Sequence, residues 1–302
     1  MPNRIFMTGA SGNVGSAILQ GLVDGEYEIR ALVRNSVPLH PRCQPIFGDL
    51  SKLDIASHEI AAADAIIHCA SPRSQSRRDV LDCEIEGMAN LINGWSAGPL
   101  VYMSSQTVYG VPKGKLSEAS PIVPTCWYDI GKITNEYQLA MADRIRLRGA
   151  GISLRLPVLF GSGARRRNGQ FLPCVLDVLR NDHAFLCASL ESLETNGTVY
   201  IGEKDLGRAV INAMRIRESG PYNIAGGFTT WRRLIDTLAE IAGLRPKYVV
   251  RASTIPGEGE FRLPHSRSEY DCSKFQSRTG FQPNERLEDI LARFVAAEGI
   301  GR

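Results

Sequence analysis

Tyr128 and Lys132 stand four residues apart in the segment Tyr128-Asp129-Ile130-Gly131-Lys132. On a helix that spacing puts both side chains on one face. A phenol ordinarily gives up its proton only at about pH 10, so alone it is a poor acid or base at neutral pH. An ammonium one turn away stabilises the phenolate and makes the group usable. Tyr128 could then give or take a proton at a substrate oxygen while a hydride moves elsewhere. Ser105 follows the apolar run Leu100-Val101-Tyr102-Met103 and offers a hydroxyl to a carbonyl on which charge develops.

A hydride needs a carrier, and the start of the chain offers a cradle for one. Thr8-Gly9-Ala10-Ser11-Gly12-Asn13-Val14-Gly15 places glycines at i, i+3 and i+6 behind the short run Ile5-Phe6-Met7. Glycine serves where a chain turns with positive φ and where backbone must approach a pyrophosphate. A helix opening at this turn aims unpaired N–H groups at that anion. This is the context a dinucleotide fingerprint requires. An acidic residue some 20 positions on would hold ribose hydroxyls. Arg34 stands there instead, and no Asp or Glu lies between positions 29 and 48. A guanidinium suits a 2′-phosphate, so NADP(H) is favoured over NAD(H); a solvated arginine at a strand end is the alternative. Asp49 reads either as an acceptor for the adenine amino group or as a helix N-cap.

Alternating elements must position these residues. Strand-like runs at Ile5–Thr8, Tyr27–Val33, Ala65–Ala70, Leu100–Met103 and Gly151–Phe160 alternate with helical spacing. The helical spacings are Val14/Ala17/Ile18/Leu22, Ile85/Met88/Ala89/Ile92 and Ile130/Ile133/Tyr137/Ala140. The pattern predicts βαβ units, hence an α/β Rossmann-type doubly wound parallel sheet. Pro157 predicts an irregular end to its strand. The second half is less regular. It predicts helices near 171–180, Trp231–Ile241 and Leu287–Ala297, with a late strand near 221–225 returning to the sheet. The expected division is a dinucleotide-binding domain over 1–161 and a smaller C-terminal, mainly substrate-binding lobe over 162–302.

A net charge of +3 on 302 residues is too mild to imply nucleic acid. Seven cysteines without a CxxC pair imply neither a metal site nor a disulfide framework, and fit reduced thiols in the cytoplasm. The sequence has no apolar run long enough to span a membrane. Only Met1 to Arg4 precede the first strand, so no signal peptide is expected. His68 reads as structural and Cys126 as a bystander. The groups Arg73/Arg77/Arg78 and Arg165/Arg166/Arg167 read either as solvated loop faces or as contacts to an anionic substrate.

Taken together, the chain resembles an extended short-chain dehydrogenase/reductase of the NAD-dependent epimerase/dehydratase type over essentially its whole length. TGASGNVG (8–15) is similar to the cofactor turn, GDL (48–50) to the adenine-side segment and IIHCAS (66–71) to the strand-four motif. YMSSQTVYG (102–110) resembles the segment that bears the active-site Ser or Thr, and YDIGK (128–132) the Tyr-Lys pair. LRLPVLFG (154–161) resembles the strand beside the nicotinamide. KDLGRAV (204–210), YNIAGG (222–227) and DCSKFQSRTGFQP (271–283) match landmarks of the second half.

The resemblance implies Ser105, Tyr128 and Lys132 as catalytic, with Lys132 also holding the ribose. It implies cofactor contacts from Gly9, Ser11, Gly12, Asn13, Val14, Gly15, Arg34, Asp49, Leu50, Cys69, Ala70, Ser71, Tyr128, Lys132, Pro157 and Val158. Arg73, Gln106 and Arg167 join Ser105 as candidate substrate contacts. Three departures stand out. Glu84 occupies a place where the family often has Asn. Thr198-Val199 stands where sugar-nucleotide members often carry Arg-Asp, and Gln106-Thr107 where sugar dehydratases carry Asp-Glu. These departures favour ketone reduction or alcohol oxidation on a small-molecule substrate. Epimerisation of a nucleotide sugar through a transient ketone comes second. A non-catalytic NADP-sensing regulator is the reading from another class; such proteins tend to lose the Tyr-Lys pair. Family members also commonly pair the helices corresponding to 82–96 and 128–148, which implies a homodimer.

Overall fold

The computed structural model describes residues 2–52, 57–72, 74, 76–111, 114–146, 149–161, 171–251, 255–264 and 267–300. The first half runs β1 (Arg4–Thr8), α1 (Asn13–Leu22), β2 (Glu28–Val33), β3 (Cys43–Phe47), α2 (Ser57–Ala61) and β4 (Ala65–His68). It continues through α3 (Arg77–Asp79), a π-helical turn (Val80–Ile85), α4 (Glu86–Gly94) and β5 (Leu100–Ser105). A 3₁₀ turn (Gln106–Tyr109), β6 (Gly114–Leu116), α5 (Trp127–Arg146) and β7 (Gly151–Leu156) complete it. The second half holds β8 (Val158–Phe160), α6 (Phe171–Arg180), β9 (Ala184–Cys187), α7 (Leu190–Thr195), β10 (Gly197–Gly202) and α8 (Glu203–Ala213). Next come β11 (Gly220–Asn223), β12 (Gly227–Thr230), α9 (Trp231–Ala242), β13 (Lys247–Val250), β14 (Glu260–Arg262), β15 (Ser268–Tyr270), α10 (Ser273–Thr279) and α11 (Leu287–Ala297).

Seven parallel strands form one sheet in the order β11-β7-β5-β4-β1-β2-β3. The central strands are buried along their whole length because helices cover both faces. On one face Ile18 and Leu22 of α1 pack with Leu206 and Val210 of α8 against Ile5, Met7 and Ile67. On the other, Met88 and Leu91 of α4 pack with Leu139 of α5 against Phe6, Ile66 and Tyr102. The chain leaves β1 in opposite directions toward β2 and toward β4. Their carboxyl ends therefore open a crevice at the point where strand order reverses, which is where ligands bind in such sheets. The fold is the Rossmann type expected from the alternating pattern.

Three details differ from the expected elements. Cys43–Phe47 is a strand, although Pro45 interrupts it; it lies at the sheet edge, where a missing N–H is tolerated. The run 151–160 is two strands divided at Pro157: β7 stays in the large sheet, while β8 pairs with β10 in a separate three-stranded sheet. The stripe Ile130/Ile133/Tyr137/Ala140 does not face the core. Ile130, Tyr137 and Ala140 are exposed, and the buried face of α5 carries Lys132, Asn135, Glu136 and Leu139. A third apolar cluster holds the second half together, built from α6, α9 and α11 around Leu176, Leu234 and Phe294.

Candidate active site

The glycine turn joins β1 to α1 where the crevice opens. Gly9 has φ +71°, and a Cβ on it would stand 2.5 Å from the Ala70 nitrogen. A Cβ on Gly15 would overlap the Gly9 carbonyl. Only hydrogen fits at either place, and the backbone is left close to whatever lies in the crevice. Gly12 is the N-cap of α1 and has no side chain to occupy the first N–H groups; the first turn holds no acid. These donors and the helix dipole suit a pyrophosphate.

A groove beside the turn collects most of the residues expected to touch the cofactor. Gly9, Ser11, Gly12, Arg34, Asp49, Leu50, Cys69, Ala70 and Ser71 line it together. Asn13, Val14 and Gly15 form the first turn of α1 above it. Pro157 and Val158, at the junction of β7 and β8, and Tyr128 and Lys132 on α5 are not among its lining residues, and neither is Ser105. Arg34 is exposed directly after β2. Among the described residues it makes no hydrogen bond or ion pair, although its charge helps to hold the Asp49 carboxyl below its ordinary value. The chief cause of that lowering is the hydrogen bond from the Ser51 nitrogen, with the Ser51 hydroxyl adding to it. Asp49 therefore closes a tight turn on itself. A larger cleft of about 780 Å³ lies between α1, His40 and α8 on the outer side of the turn, without Ser105, Tyr128 or Lys132 in its wall.

Tyr128 and Lys132 lie on α5, with the Lys132 ammonium 5.2 Å from the centre of the Tyr128 ring. Tyr128 is half-buried; Lys132 is buried. Ser105 ends β5 and caps the following 3₁₀ turn: its Oγ accepts the Thr107 N–H at 3.2 Å and lies 2.9 Å from the Thr107 hydroxyl. That turn packs against α5, which brings the serine to the helix that carries the tyrosine and lysine. Gln106 is buried, and its amide donates to the Ile224 carbonyl at 3.1 Å. Arg73 and Arg167 lie outside the described residues.

Two buried charged networks flank this triad. Behind β5, Arg155 binds both oxygens of Glu136 at 3.0 and 2.7 Å, and Glu136 also accepts the Ser104 hydroxyl. Burial opposes the Arg155 charge, but Glu136 outweighs it and raises the guanidinium further above its ordinary value. Closer to the groove, Glu84 accepts Lys132 Nζ at 2.8 Å and the Tyr102 hydroxyl at 2.6 Å. Its other oxygen accepts the Ser71 hydroxyl at 2.6 Å. Burial raises the Glu84 carboxyl, and Lys132 with the two hydroxyls brings it net below its ordinary value. Burial alone would lower the Lys132 ammonium; Glu84 brings it net above.

Glu84 was legible only as a departure from a family pattern. Nothing in its local spacing shows the contact, because it lies on a π-helical turn and its partners are far away in sequence. His68 is fully buried, stacks on Tyr102 at 5.4 Å and lies 2.6 Å from the Thr8 hydroxyl. Burial pushes its imidazole down to about 4, so it stays neutral. Cys126 is exposed.

The NAD dependent epimerase/dehydratase family model matches residues 5–225. The sterol-4-alpha-carboxylate 3-dehydrogenase, decarboxylating, of Dictyostelium discoideum is 27% identical over 53% of this chain and 54% of its own length. The chain thus spans about half of that relative. The dTDP-glucose 4,6-dehydratase of Streptomyces antibioticus is 23% identical over 97% of this chain and 91% of its own. Among solved structures, the UDP-glucuronic acid 4-epimerase from Bacillus cereus in complex with NAD superposes with a TM-score of 0.79 at 18% identity. That superposition covers 97% of this chain and 96% of the other, and it shows a shared fold. With a glycine turn, a lined crevice and a Tyr-Lys pair inside the matched region, the chain belongs to the NAD-dependent epimerase/dehydratase family of enzymes.

Proposed function

We propose that this enzyme transfers hydride between NADP(H) and a small carbonyl or alcohol, with Tyr128 as the proton donor and acceptor. The observation that supports the reading is that Lys132 and Tyr128 meet on α5 at 5.2 Å, that the turn capped by Ser105 packs against that helix, and that Lys132 joins through Glu84 to Ser71 in the groove wall. A bound nicotinamide supplies or accepts the hydride. Ser105 donates its hydroxyl to the substrate oxygen as charge builds there. Tyr128 delivers the proton to that oxygen, or removes it in the reverse direction. Lys132 supports the phenolate and holds the ribose. NADP(H) is preferred over NAD(H) because Arg34 is exposed after β2 and, among the described residues, forms no ion pair or hydrogen bond with a carboxylate, which suits a 2′-phosphate.

Residues 1–161 with β11 form the cofactor side, and residues 162–302 supply most of the substrate pocket. The exposed apolar residues of α5, Ile130, Tyr137 and Met141, with Leu81 of the π-helical turn, fit the contact face of a homodimer. No helix among the described residues is long and apolar enough to cross a membrane. Seven unpaired cysteines favour a cytoplasmic location.

Epimerisation of a nucleotide sugar uses the same three residues, and the full-length similarity to a dTDP-glucose 4,6-dehydratase favours it as the second reading. The discriminating experiment titrates the protein with UDP and dTDP and screens ketones for NADPH oxidation. Ketone-dependent NADPH oxidation that Tyr128→Phe abolishes supports the first reading. Tight UDP or dTDP binding without such turnover replaces it with the second.

A further inference from the structure

An ammonium removed from water sheds its proton unless a counter-charge stands beside it. Lys132 is 3% exposed, so its neighbours decide its charge. They come from four elements. Glu84 on the π-helical turn accepts its Nζ at 2.8 Å. The Tyr102 ring on β5 lies 5.0 Å away, and the Tyr128 ring on the same helix 5.2 Å away. Cys69, just after β4, is held as a neutral thiol, pushed up to about 12 by burial. His68 on β4 is the neutral imidazole described above. Among the described residues Glu84 is the one carboxylate within hydrogen-bonding reach of Lys132.

The fold is arranged to bring that carboxylate in. The π-helical turn presents Glu84 toward α5, and a Cβ on Gly131 would stand 3.1 Å from Glu84 Cγ and 2.9 Å from Val80. Hydrogen at 131 therefore permits the approach. Asn135 fixes the turn by donating to the Glu84 carbonyl at 3.1 Å. Tyr102 and Ser71 donate further hydrogen bonds to the carboxylate, one to each oxygen, and Ser71 also lines the groove.

We propose that Glu84 is a positioning residue: it is the counter-charge that keeps buried Lys132 an ammonium and holds its Nζ beside the groove wall at Cys69 and Ser71. Without it, burial is unopposed and Lys132 sheds its proton at a lower pH than in wild type. The consequence for cofactor affinity rests on the hydride-transfer reading; the charge of Lys132 does not.

The test follows the Lys132 ε-carbon by NMR in cofactor-free protein with labelled lysine, the signal being assigned by its loss in Lys132→Met. In wild type it titrates at or above the ordinary lysine range. In Glu84→Gln or Glu84→Asn its midpoint falls by about two pH units or more, as expected when a charge at contact distance is removed. Glu84→Asp keeps the charge and recovers most of the wild-type value. Tyr102→Phe breaks the same network without changing its charge and leaves the midpoint in place. In parallel, fluorescence titration with NADPH shows affinity lost at alkaline pH in Glu84→Gln but not in wild type. A Lys132 midpoint in folded Glu84→Gln equal to wild type overturns the proposal. So does a chain that folds with no uncharged residue at 84, since Glu84 would then serve the fold alone. An unchanged NADPH affinity with a shifted lysine signal leaves Glu84 as the counter-charge and counts against the cofactor role of Lys132.

Discussion

Replacing Lys132 by Met strands the Glu84 carboxylate in the interior, with two hydroxyls and an amide for company but no cation. Breaking one side of a buried pair costs about 3–5 kcal/mol, because the survivor's desolvation is no longer offset. For a chain of this size that is a loss on the order of 10 °C in melting temperature. Replacing both partners, as Glu84→Gln with Lys132→Met, removes both charges and should recover most of the loss. The pH dependence follows from the sign of each shift. In wild type Glu84 sits below its ordinary value of 4.5, so its stabilisation is present above that pH and fades as pH falls through the lowered value. In Lys132→Met, burial acts without the ammonium, and the carboxyl titrates above its ordinary value. The penalty is then full near neutrality and shrinks on acidification, as the folded state takes up the proton. Urea or thermal unfolding of wild type, the two single variants and the double variant, at neutral and mildly acidic pH, measures all of this. A Lys132→Met penalty equal at both pH values, or a double variant no better than the worse single one, would refute the reasoning.

Tyr128→Phe should abolish turnover while NADPH affinity, read by fluorescence, stays near wild type. Ser105→Ala should cost about 10²–10³ in kcat, the loss of one hydrogen bond to a developing oxyanion, and less than Tyr128→Phe; the reverse order would reassign the proton donor. Arg34→Ala should weaken NADPH by about one to two kcal/mol in binding and leave NADH nearly unchanged, the value of a charge-assisted contact to a phosphate. Equal losses for both cofactors would remove Arg34 from the specificity. Tyr137→Lys should turn a dimer into a monomer in light scattering without lowering NADPH affinity, because Tyr137 is 67% exposed and touches no part of the groove.

The large sheet was legible because its central strands are continuous apolar runs and its first turn is built of glycines, both local signals. The Tyr-Lys spacing was legible because it is a property of one helix. Other features depend on tertiary context. The stripe on α5 is periodic, yet its sense is inverted: the apolar residues look outward and the lysine, asparagine and glutamate look inward. Periodicity gives the helix but not which side the core lies on. Pro157 signals a disturbed strand, but only the pairing of β8 with β10 shows that the chain changes sheets there. The Lys132–Glu84 contact spans 48 positions and passes through a π-helical turn, for which the sequence offers no marker.

The order in which the strands occur has a consequence for the protein's birth. β11 closes the edge of the large sheet against β7, but it is synthesised only after β8, α6, β9, α7, β10 and α8. Until it arrives, the nascent first half presents β7 as an open row of unpaired backbone groups, and the Tyr109 hydroxyl lacks its acceptor on Asn223. Such an edge is a template for pairing with another chain. At about 5–20 residues per second the exposure lasts several seconds, long compared with local folding steps. A fragment ending at residue 161 therefore carries six of the seven strands with β7 as an open edge prone to aggregate, and the chain's safety during translation depends on how quickly Gly220–Asn223 emerges.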